Sequence, residues 1–301
     1  MNVVADSRQR GGTLRARGEG QRAAGAATVI SPHRGWFDWR LGQLWRYRDL
    51  ISLFVWRDFV SMYKQTILGP AWHVVQPLLT TLTFTIVFGT LAALPTDGAP
   101  PFLFYLAGTV LWNYFAGSLT STARTFVWNA GLLGKVYFHR LVLPISVVIS
   151  SLISFAIQLG IFLVFLGAHV VSGAPLSLTA WALLTPLFLL LLAGYALGGG
   201  IVVCALTTRY RDLGQLITFG VQLLMYATPV IYPLSAVPER LRWALLLNPL
   251  TPVMEGFRLG FLGVGSASLT QLLASFGAML ALLAVGLMLF TRVERTFMDT
   301  V

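Results

Sequence analysis

Six apolar segments constrain this chain more than anything else in it: Ala71–Leu94, Phe102–Leu119, Leu141–Val171, Trp181–Leu206, Leu213–Tyr232 and Leu269–Phe290. None contains Asp, Glu, Lys or Arg, and each is close to or beyond the roughly 20 apolar residues a helix needs to cross hydrocarbon. In lipid every backbone polar group must be satisfied inside the segment, so helices are the expected form. The sequence therefore predicts an all-α polytopic membrane protein with six transmembrane helices over residues 71–291. The third segment exceeds one bilayer thickness and is expected to tilt, kink or extend beyond the membrane. The fourth carries Gly194-x-x-x-Gly198-Gly199-Gly200, which permits either close helix approach or a kink.

Composition supports the membrane reading, because a soluble domain carries charge on about a quarter of its residues and this chain of 301 residues does so on 11%. A net charge of +10 would point a soluble protein toward nucleic acid, but here the basic residues flank apolar spans and set orientation instead. Residues 1–70 hold eleven Lys or Arg, and Arg124, Lys135, Arg140, Arg209, Arg211, Arg292 and Arg295 fall on the same side of the expected membrane. The opposite side holds Arg240, Arg242 and Arg258. The asymmetry places both termini in the cytoplasm. The single cysteine, Cys204, lies within an apolar run and implies neither a disulfide framework nor a metal cluster.

Between and before the spans lie three informative stretches. Residues 1–35 read as a disordered basic tail without the apolar core of a signal peptide. Residues 36–70 read as a cytoplasmic interfacial amphipathic helix, with Leu41, Leu44, Trp45, Ile51, Val55, Phe59, Met62 and Tyr63 on one face and Gln43, Arg46, Arg57, Ser61 and Lys64 opposite. Ala123–Arg140 is expected to form a cytoplasmic helix of about four turns. Leu234–Ser268 should form two short external re-entrant helices between spans five and six, broken at Asn248–Pro252, with Thr251 as N-cap, Glu255 in the favourable first turn and Glu255 one turn from Arg258. Residues 292–301 form a short cytoplasmic C-terminus.

Several chemistries are missing. The two lysines are Lys64, after Tyr63, and Lys135, before Val136, so neither fits the Gly-Lys-Ser/Thr of a phosphate-binding loop. The charge-free spans lack the groups with which proton- or sodium-coupled transporters work. Transport work would have to come from a partner subunit. A membrane glycosyltransferase or ligase needs paired carboxylates, a base or a metal near the reaction, whereas Asp97, Glu239 and Glu255 stand apart and His33, His73, His139 and His169 are scattered. No catalytic or metal-binding residues are expected. A structural scaffold suits charge-free spans less well than a channel does.

Trp56-Arg57-Asp58 followed by Tyr63-Lys64-Gln65-Thr66-Ile67-Leu68-Gly69-Pro70-Ala71-Trp72 and Gln76-Pro77-Leu78 resembles the signature of ABC-2 type permeases that export polysaccharides, O-antigens and teichoic acids. Asn129, Leu132, Lys135 and Arg140-Leu141-Val142-Leu143-Pro144, then Arg211-Asp212-Leu213, Thr228-Pro229-Val230-Ile231-Tyr232-Pro233, and Asn248-Pro249-Leu250 with Arg258 follow in the family's order. His139 departs from the proline common before that arginine. The resemblance covers about Leu50 to Val293. It implies a bacterial inner-membrane subunit that dimerises, pairs with two copies of an ABC ATPase holding ATP and magnesium, binds no cofactor itself, and moves a lipid-pyrophosphate-linked glycan outward. Export of a small molecule or drug by a related permease is the alternative.

Candidate residues follow. Arg46, Arg57 and Lys64 suit either a pyrophosphate or anionic lipid headgroups. Tyr105, Trp112, Tyr114, Phe115 and Tyr226 are candidates for a path on which sugar rings stack, the competing reading being interfacial belt and packing. Asn129, Leu132, Leu133, Lys135 and Arg140, with Arg211 and Asp212 at a second turn, are candidates for coupling to the ATPase. Asn248, Pro249, Glu255 and Arg258 are candidates for an external gate.

Overall fold

The structure, a computed structural model, describes residues 45–64, 69–133, 135, 138–174, 176–209 and 213–297. The basic tail, the expected helix before residue 45, and Arg211 and Asp212 lie outside them. Every regular element among the described residues is helical. Helix α1 covers Arg48–Tyr63. Span one begins as α2, Trp72–Phe84, and continues with wider π-turns over Thr85–Leu91, where Thr83 and Thr85 return their hydroxyls to the carbonyls of Leu79 and Thr81 and loosen the ladder. Then come α3, Pro101–Trp128; α4, Val142–Val171; α5, Thr185–Arg209; α6, Leu213–Tyr226; α7, Glu239–Leu247; α8, Thr251–Leu262; and α9, Leu269–Phe297.

Among the described residues, five helical stretches are long and apolar enough to cross a membrane. They correspond to expected segments one to four and six. The fifth is shorter: α6 has 14 residues, roughly 21 Å of helix against about 30 Å of hydrocarbon, and gives way to turns at Ala227. Thr228-Pro229 explains the stop, because proline supplies no N–H and disfavours helix in the residue before it. The third segment is one continuous helix of 30 residues, some 45 Å. It meets its excess length without a break in the helix.

Span two is the centre of the packing. Within its membrane-length window 72% of residues are buried, against 11% for span one and 22% for the last span, so α3 is surrounded by protein while the others keep a face for lipid or another chain. The glycines of α5 serve close approach. A Cβ on Gly198 would stand 3.1 Å from the backbone of Leu283 on α9, and one on Gly200 would stand 2.6 Å from Thr122 on α3. Helix α5 runs unbroken through them.

Two expectations on the Asn129 side are corrected. Helix α1 does not have one apolar face. Phe54, with Leu50 and Ile51 beside it, packs against Phe138, Val142 and Leu143, while Leu53 and Trp56 are exposed on another side. The helix is pinned to the start of span three as well as free to meet a membrane surface. The four-turn helix over Ala123–Arg140 is also absent as such. Its first six residues belong to α3, the chain breaks at Asn129, and a single turn, Ala130–Leu133, follows. Asn129 causes the break by donating its side-chain amide to the Thr125 carbonyl at 2.8 Å, a local bond that competes with helix propagation.

Candidate functional site

The most densely bonded group of candidates surrounds Arg258, which is 1% exposed. Helix α8 carries it inward because Val253, Met254 and Phe257 bury the same helix among the spans. Its Nη1 donates to the carbonyl of Pro229 at 2.7 Å and reaches that of Tyr232 at 3.5 Å, and its Nη2 donates to that of Val230. These carbonyls lie just beyond the C-terminus of α6, where unpaired oxygens and the helix dipole favour a cation. The guanidinium also lies 3.8 Å from the Phe104 ring centroid and 3.6 Å from Glu255 Oε1. Burial draws its pKa down to about 10, against the opposing pull of Glu255, Tyr105 and Asp97, so it stays charged at neutral pH.

Glu255 is held in turn by the backbone N–H of Ser266 at 3.0 Å, on its second oxygen. Gly108 of span two makes the arrangement possible, since a Cβ there would stand 2.6 Å from the Val230 carbonyl and 2.8 Å from Arg258. Asn248 closes the same region. Its side chain donates to Ala227 O and Thr228 Oγ1 at 3.0 and 2.8 Å and accepts from the Leu250 N–H at 3.0 Å. The Pro249 carbonyl accepts from Ser275 of α9 at 2.7 Å, and Ser275 is bonded to Tyr195 of α5. Thus Asn248, Pro249, Glu255 and Arg258 are brought together. Thr251 is not the N-cap expected of it: Leu250 precedes the helix, and the Thr251 hydroxyl donates back to Leu245 O at 2.6 Å. Glu255 correspondingly lies beyond the first turn.

A second group forms at the other end of span two. Arg57 Nη1 donates to Asn129 Oδ1 at 3.2 Å, and Arg57 also pairs with Asp58 at 2.7 Å. A residue chosen for headgroup contact is therefore joined to one chosen for coupling. Leu132 packs on the cluster of Phe54 and Phe138, Lys135 is exposed, and Arg140 is half-buried. Arg46 and Lys64 are exposed near the two ends of α1 and do not join this contact. The Leu133 side chain, with Arg211 and Asp212, lies outside the described residues. Arg124, used in the sequence only for orientation, bonds Thr218 Oγ1 at 2.9 Å and Gly214 O at 3.3 Å, tying the end of span two to α6.

The five aromatic candidates are not brought together. Tyr105 and Phe115 are buried in packing, the former edge-on to Phe84 and Phe104 and the latter against Trp112. Tyr226 is 51% exposed at the end of α6. Trp112 and Tyr114 do share a space: they line a cleft of about 360 Å³ between spans one, two and three. Its polar lining includes Gln76, Asn113, Ser154 and Gln158, residues that sequence reasoning passed over. The signal was present, because amides within charge-free spans are costly unless they face a partner or a cavity.

Residues 49–262 match the family model described as the ABC-2 type transporter. The O-antigen export system permease protein RfbA of Klebsiella pneumoniae is 28% identical over 251 residues, 83% of this chain and 94% of the relative. Its namesake from Myxococcus xanthus is 29% identical over 218 residues, 72% and 81% of the two chains. The capsule polysaccharide export inner-membrane protein CtrC of Neisseria meningitidis serogroup A is 24% identical over 227 residues, 72% and 80%. The matched stretch contains both bonded groups, at Arg57 and at Arg258, and with membrane-length helices along it the chain belongs to the ABC-2 type transporter family.

Proposed function

We propose that this chain is the membrane-spanning subunit of an ATP-driven exporter that carries a lipid-pyrophosphate-linked, O-antigen-like polysaccharide across a bacterial inner membrane, both termini cytoplasmic. Two copies work with two copies of a separate ABC ATPase, which binds ATP and magnesium. The apolar faces left open on span one (Leu79, Leu82, Ile86) and α6 (Leu216, Phe219, Leu223) suit contact with a second copy.

One observation carries the reading. In the stretch that matches the ABC-2 type transporter model, residues 49–262, the end of span two, helix α1 and the start of span three are joined through Arg57–Asn129 and Phe54–Phe138. A push on the connection after Asn129 then moves the membrane-surface helix and span three together. Exposed Lys135 and the ring of Trp128, 65% exposed, offer contacts to the ATPase. Arg57, Lys64 and Arg46 present cations where a lipid pyrophosphate would arrive, and the Arg258 group serves as the external gate. Deleting the chain should abolish surface polysaccharide and leave lipid-linked glycan inside, and an ABC ATPase should co-purify with the tagged protein. Unchanged surface polysaccharide with no associated ATPase overturns the proposal.

A further inference from the structure

The cleft between spans one, two and three is built unlike a packing defect. Asn113 Nδ2 donates to Gln158 Oε1 at 3.1 Å, which sets two amides from facing helices side by side. Their other polar atoms, Asn113 Oδ1 and Gln158 Nε2, make no bond among the described residues, and both side chains line the cleft. Gln76 and Ser154 add further donors and acceptors, while Trp112 and Phe155 supply ring surfaces. Among the described residues no Asp, Glu, Lys or Arg lines it, and His73 contributes an imidazole to its wall.

That combination discriminates between occupants. A lipid tail would leave the amides unpaired at membrane depth, where unsatisfied polar groups are costly. A phosphate would find no Lys or Arg to neutralise it. A neutral ring with hydroxyls on its edge and C–H groups on its faces meets both demands, and the volume is within the usual range for a small-ligand pocket, about 300–1,000 Å³. We propose that the cleft binds one neutral sugar unit of the transported glycan, held at its hydroxyls by Asn113, Gln158 and Gln76 and on its face by Trp112. The proposal rests on the glycan-exporter reading and adds a sugar site lying within a single chain.

The test uses the full-length protein in its native membrane. A photo-crosslinking residue at Ser154, in the cleft, should yield an adduct whose mass shift is removed by periodate or glycosidase. One at Val164, on the same helix and 71% exposed, should yield only lipid adducts. Separately, Asn113→Ala with Gln158→Ala should slow export about tenfold, as expected for two lost hydrogen bonds of ordinary strength, with chain abundance and ATPase association unchanged. A Ser154 adduct without sugar, or no adduct, overturns the sugar site, since that chain keeps both amides. Wild-type export by the double variant at equal abundance also overturns it. If deletion of the whole chain abolishes export while these assays are negative, the sugar site alone fails. If deletion leaves surface polysaccharide intact, the exporter reading fails and takes the site with it.

Discussion

Span two has two differently built ends. Near Gly108, a fully buried guanidinium donates to backbone carbonyls, faces a buried carboxylate and lies over an aromatic ring. Near Asn129, Arg57 is 45% exposed at its side chain and holds its partners across a protein surface. The first arrangement is costly to disturb because Glu255, Phe104, Pro229 and Val230, left behind, are buried. The second can be remade at little cost, because water substitutes for each lost bond. On the function proposed above, the yielding contact would stand where force enters and the stiff one where the exit is held closed.

The contrast is open to attack by mutation. Arg258→Ala should have the largest effect, about 3–5 kcal/mol of lost stability, since it strands the Glu255 carboxylate; it is read as thermal unfolding of the purified protein and as chain abundance. Arg258→Lys should fall between, because an ammonium cannot reproduce the fork. Should Arg258→Ala unfold at the wild-type temperature, the rigid end is misjudged. Gly108→Ala should cost about 1–3 kcal/mol by forcing Val230 and Arg258 apart, and an unchanged unfolding temperature would mean that the helices separate freely there.

Asn248→Ala removes the clasp on Ala227, Thr228 and Leu250 and should cost about 1–2 kcal/mol. Its absence should also expose the end of α6 to faster amide exchange. At the opposite end, Asn129→Ala should change stability by less than about 1 kcal/mol yet reduce ATP-dependent export severalfold, and Arg57→Ala combined with it should add little further. A large stability loss with unimpaired export would reverse the proposed division between the two ends.

Much of this was legible in the residues, though unevenly. The buried pair was visible as Glu255 and Arg258 at helical spacing beside a Pro-rich break, because neighbours on one helix follow from geometry alone. What encloses it was not, since Phe104, Gly108 and Pro229 come from distant segments. The cleft was missed for a related reason: Asn113 and Gln158 each look like an isolated polar residue in an apolar run until span packing sets them face to face. The sequence did not show which of the aromatic candidates would be packed away, because burial of Tyr105 and Phe115 depends on what surrounds span two.

Sequence by itself determined the membrane class, the approximate spans, the confinement of Lys and Arg to the stretches outside the apolar segments and the absence of a Gly-Lys-Ser/Thr phosphate-binding loop. Each of these is a property of composition or of short-range spacing, fixed by the hydrophobic length of a bilayer and the period of a helix. Tertiary structure alone decided that span two is central, that α1 is docked on span three, that α6 stops at Thr228-Pro229 short of a full span, and which polar groups share a cavity. Those outcomes depend on pairing between helices whose lipid-facing and protein-facing sides are about equally apolar, so hydrophobicity cannot tell them apart; small residues and buried polar bonds do, and only where two helices meet.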